Sequence, residues 1–385
     1  MFMKHRRTVA VVAISLAICL TFTGCWDGRE LNTISLVAGV GVDAAKGKSG
    51  ITMTVQVGKT GQTNNGKEKE SPTSKYLNYQ KSGDTELGII RELTHETSRR
   101  LFFGHNQFII FGKQEAEKGI KPQLDFFLRD QETRLDVWLL TSDTTAGEIL
   151  NTESDLSPIP AMDLAQLIAN QKANSESVET DILDFTSKME SEGTSPVIGL
   201  VKIDRTTKKP KFLLSGMAAF KQDKMVGEMS EPETRGYLWT MNKIHSGTVD
   251  VKVGNSGSSL EILEGSGKIS PKLDKNNHVS VSIKITAKLG IREMTDLENV
   301  AFPKAGMLLQ TACEETIQKR VQACFQKSQV YGTDIYGIGK MIDEKNPKQW
   351  DSMKNNWEQI YKKIKPSITV QVQVSDPGQI NQFKK

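Results

Sequence analysis

Cysteines are scarce in this chain and offer no obvious disulfide. Of its 385 residues, four are cysteines, at positions 19, 25, 313 and 324. Cys313 and Cys324 fall within one predicted helix, where eleven residues separate two Cα atoms by roughly 16 Å, and a disulfide closes at most about 7 Å. We therefore expect both to be small buried apolar residues, so that the folded body is stabilised by its core and not by cross-links.

The usual signatures of catalysis and metal binding are missing as well. No two of the five histidines are three or four residues apart, and HExxH, CxxC and GxSxG motifs are absent. The stretch Gly39 to Ala44 fits GxGxxA, but a turn follows it instead of the helix that a dinucleotide site requires. The sequence therefore predicts no enzyme and no cofactor, with no catalytic, cofactor-binding or metal-ligating residue.

A strong charge of either sign is also lacking. The chain has 50 Lys and Arg against 46 Asp and Glu, for a formal net charge of +4. Three of these positive charges, Lys4, Arg6 and Arg7, precede an apolar run at the N-terminus. No dense basic cluster occurs later, so we expect no nucleic-acid partner.

The apolar run from Val9 to Leu20 closes on Phe22-Thr23-Gly24-Cys25. Its length of about a dozen residues is short of the roughly 20 that span a bilayer as a helix. This pattern predicts a lipoprotein signal peptide over residues 1–24, cleaved before Cys25, which then carries S-diacylglyceryl and N-acyl (palmitate) groups. The alternative is an ordinary signal peptide in which Cys25 is incidental.

Strand and helix patterns alternate through the rest of the chain, which predicts the α+β (mixed α/β) class. We expect a multi-domain ectodomain with antiparallel or mixed sheets covered by amphipathic helices. Its N-terminal α/β domain is predicted over residues 25–207, with a mobile loop at 58–74, and could subdivide further. A charged, proline-containing link at Lys208 to Lys211 then separates it from a C-terminal α+β domain at 208–385.

Several elements are predicted with definite faces or ends. A helix after Asp84 is expected to bury Leu87, Ile90 and Leu93, and Ser230 with Glu233 fits a helix capping box. Period-two or helical patterns predict five further features. These are a hairpin of Ile34–Val42 with Ile51–Val57, a short strand at Leu260–Leu263, a long strand at Val279–Ile291, a long helix after Pro303, and a closing strand at Ile368–Val374.

Three local patterns are candidates for function. The charged stretch with Arg129, Asp130 and Arg134 is either a ligand-binding or acid/base cluster or an ion-pair network that clamps a helix to the next strand. Trp26 and Arg29 closely follow Cys25, where they either meet lipid headgroups or a membrane partner or simply start the first domain. The Tyr331–Gly339 loop, with its residues Asp334, Tyr336 and Gly337, is either a partner contact or a tight turn between helices.

Several strings, in this order, resemble the Ger(x)C family, the lipoprotein C subunits of spore germinant receptors. They are CWDGREL, LFFGHNQFIIFG, LDFFLRDQETR, GMAAFKQDKMVGEMSEPETRGYL and YGTDIYGIGK. The resemblance implies a membrane protein of the spore, lipid-anchored on the outer face of its inner membrane (cell membrane). Its partners would be an integral A subunit, a transporter-like B subunit and sometimes a small D subunit. Only the lipidated Cys25 receives a definite role from this resemblance.

The sequence therefore predicts a non-catalytic, lipid-anchored subunit of a nutrient germinant receptor complex, required for spore germination and not itself expected to bind a small molecule. One alternative is an extracytoplasmic solute-binding lipoprotein of a transporter, which would need two doubly wound lobes around a cleft. An anchored hydrolase is a third class, and it would need a nucleophile with its base.

Overall fold

The fold is that of a computed structural model, which describes residues 33–47, 49–59, 75–154, 156–254, 256–294 and 302–375, together with Arg6. The predicted signal peptide, Cys25, Trp26 and Arg29 lie outside the described residues. The same is true of positions 60–74, which form most of the predicted mobile loop.

A nine-stranded mixed sheet, here called the first sheet, forms most of the first 230 residues. Its strand order is β3-β2-β1-β5-β6-β7-β8-β9, and β4 pairs with the start of β1. β1, β5, β6 and β7 run parallel to one another, whereas β2, β3, β8 and β9 extend the sheet by antiparallel pairing. The strands are β1 Ile34–Ala44, β2 Ile51–Gly58, β3 Tyr76–Gly83, β4 Arg100–Phe102, β5 Phe108–Phe111, β6 Trp138–Ser142, β7 Val197–Asp204, β8 Lys211–Lys221 and β9 Lys224–Met229.

Helices cover both faces of the first sheet because its central strands are apolar on both sides. In β5, Ile109 and Phe111 pack on α1, α2, α3 and α7, while Phe108 and Ile110 pack on α4 and α5. The α-helices described in this part of the chain are α1 Glu86–Leu93, α2 Lys113–Lys118, α3 Lys121–Arg129, α4 Ala146–Leu150, α5 Pro160–Ala169, α6 Gln171–Asn174 and α7 Ile182–Glu190.

The rest of the chain forms a four-stranded sheet, here called the second sheet, in the order β10-β11-β12-β13. Neighbouring strands are antiparallel except for β12 and β13, which are parallel. The strands are β10 Thr248–Val253, β11 Ser256–Leu273, β12 Val279–Met294 and β13 Ser367–Ser375. The accompanying helices are α8 Glu231–Thr240, α9 Phe302–Tyr331, α10 Ile338–Lys345, α11 Pro347–Met353 and α12 Trp357–Tyr361.

The long helix α9 lies on one face of the second sheet. Its buried stripe, which includes Cys313, Ile317 and Val321, packs against alternate residues of β12 such as Ile283 and Ile285. The same core also contains Met217 from β8 and residues of β7 and β9. The two sheets therefore share one hydrophobic core.

The structure confirms the α+β class with two mixed sheets and most of the predicted elements. Cys313 and Cys324 are free and buried, as predicted. The predicted boundary at 207/208 falls in the turn between β7 and β8, where Asp204 lies opposite Lys211. The first sheet continues across this turn, so the C-terminal segment predicted to begin at 208 contributes β8 and β9 to it.

Two predictions about elements are wrong. Helix α1 buries Ile89 and Leu93, whereas Leu87, predicted to face inward, is 54% exposed. The strand predicted only at Leu260–Leu263 is the middle of β11, which is 18 residues long. The capping box is present, since the amide of Ser230 donates to the Glu233 carboxylate at 2.7 Å.

Candidate functional site

Residues of the Tyr331–Gly339 loop make hydrogen bonds and ring contacts with several distant parts of the chain. It connects α9 to α10, and two of its glycines have the left-handed backbone that glycine adopts without strain: Gly332 with φ of 67° and Gly337 with φ of 68°. Gly337 is the residue that immediately precedes α10. The chain can therefore reverse sharply after α9 and bring Asp334 back beneath the first turn of α10.

The carboxylate of Asp334 ties three segments together. It accepts hydrogen bonds from the amides of Ile338 at 3.0 Å and Gly339 at 2.8 Å, the otherwise unpaired donors at the start of α10. Its second oxygen also accepts from the indole Nε1 of Trp357, at 3.1 Å. The carboxylate therefore fixes α10 to the helical segment that carries Trp357.

Burial of Asp334 changes its acidity. Only 4% of the residue is exposed, and this burial raises the pKa of its carboxyl to about 6, although the amides of Gly339 and Ile338 and the indole of Trp357 act to lower it. The group therefore titrates close to neutrality and inside the core.

Tyr336 and Gly337 are also interior residues. Tyr336 is 1% exposed, and its ring stacks on Phe325 with centroids 5.3 Å apart and lies 5.9 Å from the ring of Tyr237. Burial raises the pKa of its hydroxyl well above the ordinary value. The loop residues predicted to contact a partner thus face the core, and any partner surface here would have to be formed by their exposed neighbours.

A second segment, residues 191–195 between α7 and β7, docks on this loop. The amide of Lys340 donates to the carbonyl oxygen of Gly193 at 3.0 Å, and the amide of Ser195 donates to the carbonyl oxygen of Asp334 at 2.9 Å. Gly193 could not be identified as part of the site from its pattern, because it lies in a short polar stretch without periodicity. This docking joins the first sheet to the helices of the second.

A cleft of about 440 Å³ opens above Asp334 and Trp357, between the 191–195 segment and helices α11 and α12. Ion pairs cross it on two sides: Lys354 lies 3.4 Å from Glu192, and Lys221 lies 2.6 Å from Glu358. Hydrogen bonding to Lys221 is the main cause that lowers the pKa of the Glu358 carboxyl. The charges at the cleft therefore pair with each other across it.

The charged stretch with Arg129, Asp130 and Arg134 does not converge on one site, and neither arginine pairs with an acid of strand β6. Arg129 pairs with Asp125 of its own helix at 2.8 Å, and Arg134 pairs with Asp136. Asp130 accepts a hydrogen bond from the hydroxyl of Thr133 at 2.7 Å. Each arginine pairs with an acid within four residues of its own position, whereas Glu132 of the same stretch pairs with Arg100 of β4 at 2.6 Å.

No set of three His, Cys, Asp or Glu side chains in the described parts of the chain is arranged to hold a metal ion. Among these same residues, no helix is both long and apolar enough to cross a membrane. The arrangement around Asp334 can hold backbone amides and an indole in place, which is a structural task.

Family models match both halves of the chain in order. A spore germination protein N-terminal domain matches residues 27–203, and the spore germination B3/GerAC-like C-terminal domain matches residues 215–378. This chain belongs to the Ger(x)C family of spore germination proteins. The earlier resemblance, based on a few strings, is confirmed over most of the chain, and this Ger(x)C chain is a C-subunit-like protein of spore germination receptors.

Individual relatives agree with this assignment. Spore germination protein YndF of Bacillus subtilis (strain 168) is 24% identical over 98% of this Ger(x)C chain and 98% of its own length. Spore germination protein KC of the same organism is 23% identical over 92% of both chains. The crystal structure of the GerBC protein shares the fold, with a TM-score of 0.53 and 18% identity over 88% of this chain and 97% of that one.

Proposed function

We propose that this chain is a lipid-anchored, non-catalytic subunit of a nutrient germinant receptor complex and is required for spore germination. It sits on the outer face of the spore inner membrane beside an integral A subunit and a transporter-like B subunit, in some complexes with a D subunit. The observation that carries the proposal is the ordered match of residues 27–203 and 215–378 to the two spore germination models.

Acylated Cys25 is the membrane anchor in this proposal. The two acyl chains of its diacylglyceryl group supply the two hydrophobic signals that durable anchoring needs, since a single acyl chain binds membranes only marginally. Trp26 and Arg29 then lie at the headgroup level, where an indole and a guanidinium are favoured and can contact the integral subunits. Arg29 is the sharper test of partner contact, because Asp334 and Tyr336 are buried and their replacement would act through the fold.

A solute-binding lipoprotein is not favoured. Such a protein binds its ligand between two doubly wound lobes that close on each other. Here a nine-stranded and a four-stranded sheet share one core, with Met217 of the first sheet packed in the same cluster as Ile283 of the second. Relative closure of the two parts would disrupt that core.

Palmitate labelling of producing cells tests the anchor. The Cys25→Ala variant should lose the label and accumulate as an uncleaved precursor, while Cys313→Ala, the matched loss of a buried cysteine, should keep the label. Undiminished labelling of the Cys25→Ala protein would show that the lipid is attached elsewhere.

Crosslinking in spore membranes tests the complex. The unaltered chain should recover an A-type or B-type subunit, and Arg29→Ala should lower that yield while the ectodomain keeps its melting temperature. Spores that lack the chain should fail to respond to nutrient yet germinate when the receptor is bypassed. Normal nutrient germination of such spores, with no recovered subunit, would refute the proposal.

A further inference from the structure

The last strand, β13, forms one edge of the second sheet, and among the described residues no strand pairs with its outer side. β13 contains neither a charged residue nor a proline, and its pairing with β12 has no bulge. Sheet edges are normally protected by lysine, proline, bulges or a covering segment, because free backbone groups otherwise accept another strand. The β13 edge therefore has the backbone and the composition to pair with one more strand.

The long helix α9 runs alongside β13 in the opposite direction. The Glu314 carboxylate accepts a hydrogen bond from the amide of Val372 at 3.0 Å. The Gln329 carboxamide donates to the carbonyl oxygen of Ile364 at 2.8 Å. These two contacts are about 23 Å apart along the helix and about 26 Å apart along the extended chain, so the helix follows the strand over this length.

The first half of the β13 edge is the part that Glu314 leaves free. The amide of Val372 points away from β12, since Glu314 holds it, and the backbone groups of a strand point to the same side at every second residue. The backbone groups of Ile368 and Val370 therefore face the outer edge too. Their side chains are partly buried against the core. An added strand can pair with both residues before it reaches Glu314.

A cleft of about 600 Å³ opens between α9 and the start of this free edge. It is lined by glutamines of α9 and by the segment that leads into β13: Gln322, Gln326, Gln329 and residues 362–366. Lys362 pairs with Glu358 at 2.6 Å, whereas Lys363 and Lys365 are exposed and form no ion pair with another described residue. No acid is among the described residues that line the cleft. The cleft is therefore positive, and its carboxamides can donate to carbonyl or carboxylate oxygens.

We propose that the β13 edge and this cleft bind an extended, acidic segment of a partner protein. The segment adds to the second sheet beside Ile368 and Val370, and its carboxylates contact Lys363 and Lys365. In this mode of recognition the backbone hydrogen bonds give affinity and the flanking side chains give specificity. The inference goes beyond the proposed receptor function and does not depend on it.

The charge of the cleft selects the partner. Residues 376–385, which follow β13, contain two lysines and one aspartate, so they do not complement the charge of Lys363 and Lys365. A second copy of β13 would bring no charge at all. An acidic segment of another protein supplies both the extended backbone and the carboxylates.

A phage-displayed library of random dodecapeptides, selected against the full-length protein in detergent micelles, tests the inference. We expect the selected peptides to be rich in aspartate, glutamate and β-branched residues. A selected peptide would then be synthesised with a dye, and its binding would be measured by fluorescence anisotropy. N-methylation of its alternate amides should abolish binding, because it removes the donors that strand addition requires.

One pair of variants tests the strand pairing. Val370→Pro removes an amide from the free edge, and Val374→Pro makes the same change beyond Glu314, at another valine that is partly buried against the core. Proline is tolerated where the amide faces away from the neighbouring strand. We expect peptide binding to weaken at least about tenfold for Val370→Pro and to change less than about twofold for Val374→Pro.

A second pair tests the charge and remains informative if Val370→Pro does not fold. Lys363→Glu with Lys365→Glu reverses the charge of the cleft through exposed side chains. Lys208→Glu with Lys211→Glu makes the same change at exposed residues around the turn between β7 and β8. The first double variant should bind the peptide at least about tenfold more weakly, and the second should bind it like the unaltered protein.

Three results would overturn the inference. A selection that enriches no peptide, or only peptides without acids, would show that the cleft does not recognise an acidic segment. Peptides that bind both members of each variant pair equally well would be attached elsewhere. A protein that is a dimer in solution and becomes a monomer with Val370→Pro would show that the edge pairs with a second copy instead.

Discussion

Gly193 and Gly339 meet backbone to backbone where the first sheet joins the helices of the second. A Cβ atom on Gly193 would lie 2.6 Å from the carbonyl carbon of Gly339, and one on Gly339 would lie 2.7 Å from the Cα of Gly193. No side chain fits between these two backbone segments. The relative placement of the two sheets therefore depends on two positions that only glycine can fill.

Gly193→Ala should destabilise the protein strongly. Gly193 has φ of 69°, where a residue with a Cβ pays roughly 1 to 2 kcal/mol, and its new methyl group would also overlap the backbone of Gly339. We expect the free energy of unfolding to fall by about 3 kcal/mol or more, measured by urea denaturation.

Gly47→Ala is the matched control for Gly193→Ala. Gly47 has φ of 67°, but among the described residues no atom apart from those of its chain neighbours lies within 4 Å of the position its Cβ would take. Replacing Gly47 by alanine should lower the free energy of unfolding only by the backbone strain, about 1 kcal/mol. Equal losses at the two positions would mean that the contact between Gly193 and Gly339 contributes nothing.

Asp334 should make stability depend on pH in an unusual direction. Burial raises its pKa from 3.8 to about 6, so between these values the folded protein binds more protons than the unfolded chain. The stabilisation by the protonated carboxyl is complete below the unfolded pKa and is lost as the pH rises through the folded pKa. A difference of about two pKa units corresponds to about 3 kcal/mol.

Comparison with Asp334→Asn isolates this contribution, because other acids titrate equally in both proteins. Relative to the variant, the unaltered protein should lose most of about 3 kcal/mol of unfolding free energy between about pH 4 and about pH 7. Denaturant titrations at several pH values would measure it. Parallel stability curves for the two proteins would show that Asp334 does not titrate in this range.

The last strand, β13, should contribute to stability mainly through Val372. Val372 is 5% exposed, while Ile368, Val370 and Val374 are only partly buried against the core. We expect Val372→Ala to cost about 2 kcal/mol, and Thr369→Ala on the exposed face to cost less than about 0.5 kcal/mol. Removing the chain from Ser367 onward should cost more than Val372→Ala, because β12 also loses its parallel partner. An unchanged melting temperature after truncation would contradict this.

Strands and helices with one regularly buried face could be predicted from the sequence. Alternation in β12 and the helical stripe of α9 predicted both elements, since each packs one face on the shared core. β11 was predicted too short because Gly265 and Gly267 interrupt its pattern. Both glycines lie against Trp239, with a Cβ on Gly265 only 2.7 Å from the indole ring. A close approach to a distant side chain leaves no periodic signal.

The candidate site shows the same limit. The glycine-punctuated motif singles out Asp334, Tyr336 and Gly337. It does not indicate that these residues are buried. Asp334 is enclosed partly by Trp357 and by the segment at Gly193, which are 23 and more than 100 residues away along the chain. The opposite holds for Arg129 and Arg134, for which a shared charged site was considered. Each of them pairs with an acid only two or four residues away along the chain. Sequence spacing alone cannot distinguish these two situations.

Nutrients should not stabilise the purified ectodomain. A ligand present at 100 times its dissociation constant adds about 2.7 kcal/mol to stability and shifts a melting curve by several degrees. The cleft above Asp334 has the volume for a small molecule, but Lys354 and Lys221 pair with Glu192 and Glu358 across it, so a ligand would first have to break these ion pairs. We expect no shift with amino acids or sugars tested singly by differential scanning fluorimetry.

A saturable shift with one nutrient would contradict this expectation, and Glu358→Gln would then locate the ligand. A ligand in the cleft would compete with Glu358 for Lys221, so removing that carboxylate charge should strengthen the shift. The exposed Glu148 pairs with Arg205 on another part of the surface, and Glu148→Gln provides the matched loss of one acid. In that case the nutrient would raise the melting temperature more for the Glu358→Gln protein than for the unaltered protein, and not for Glu148→Gln. That result would favour the solute-binding alternative over a subunit that acts only within the receptor complex.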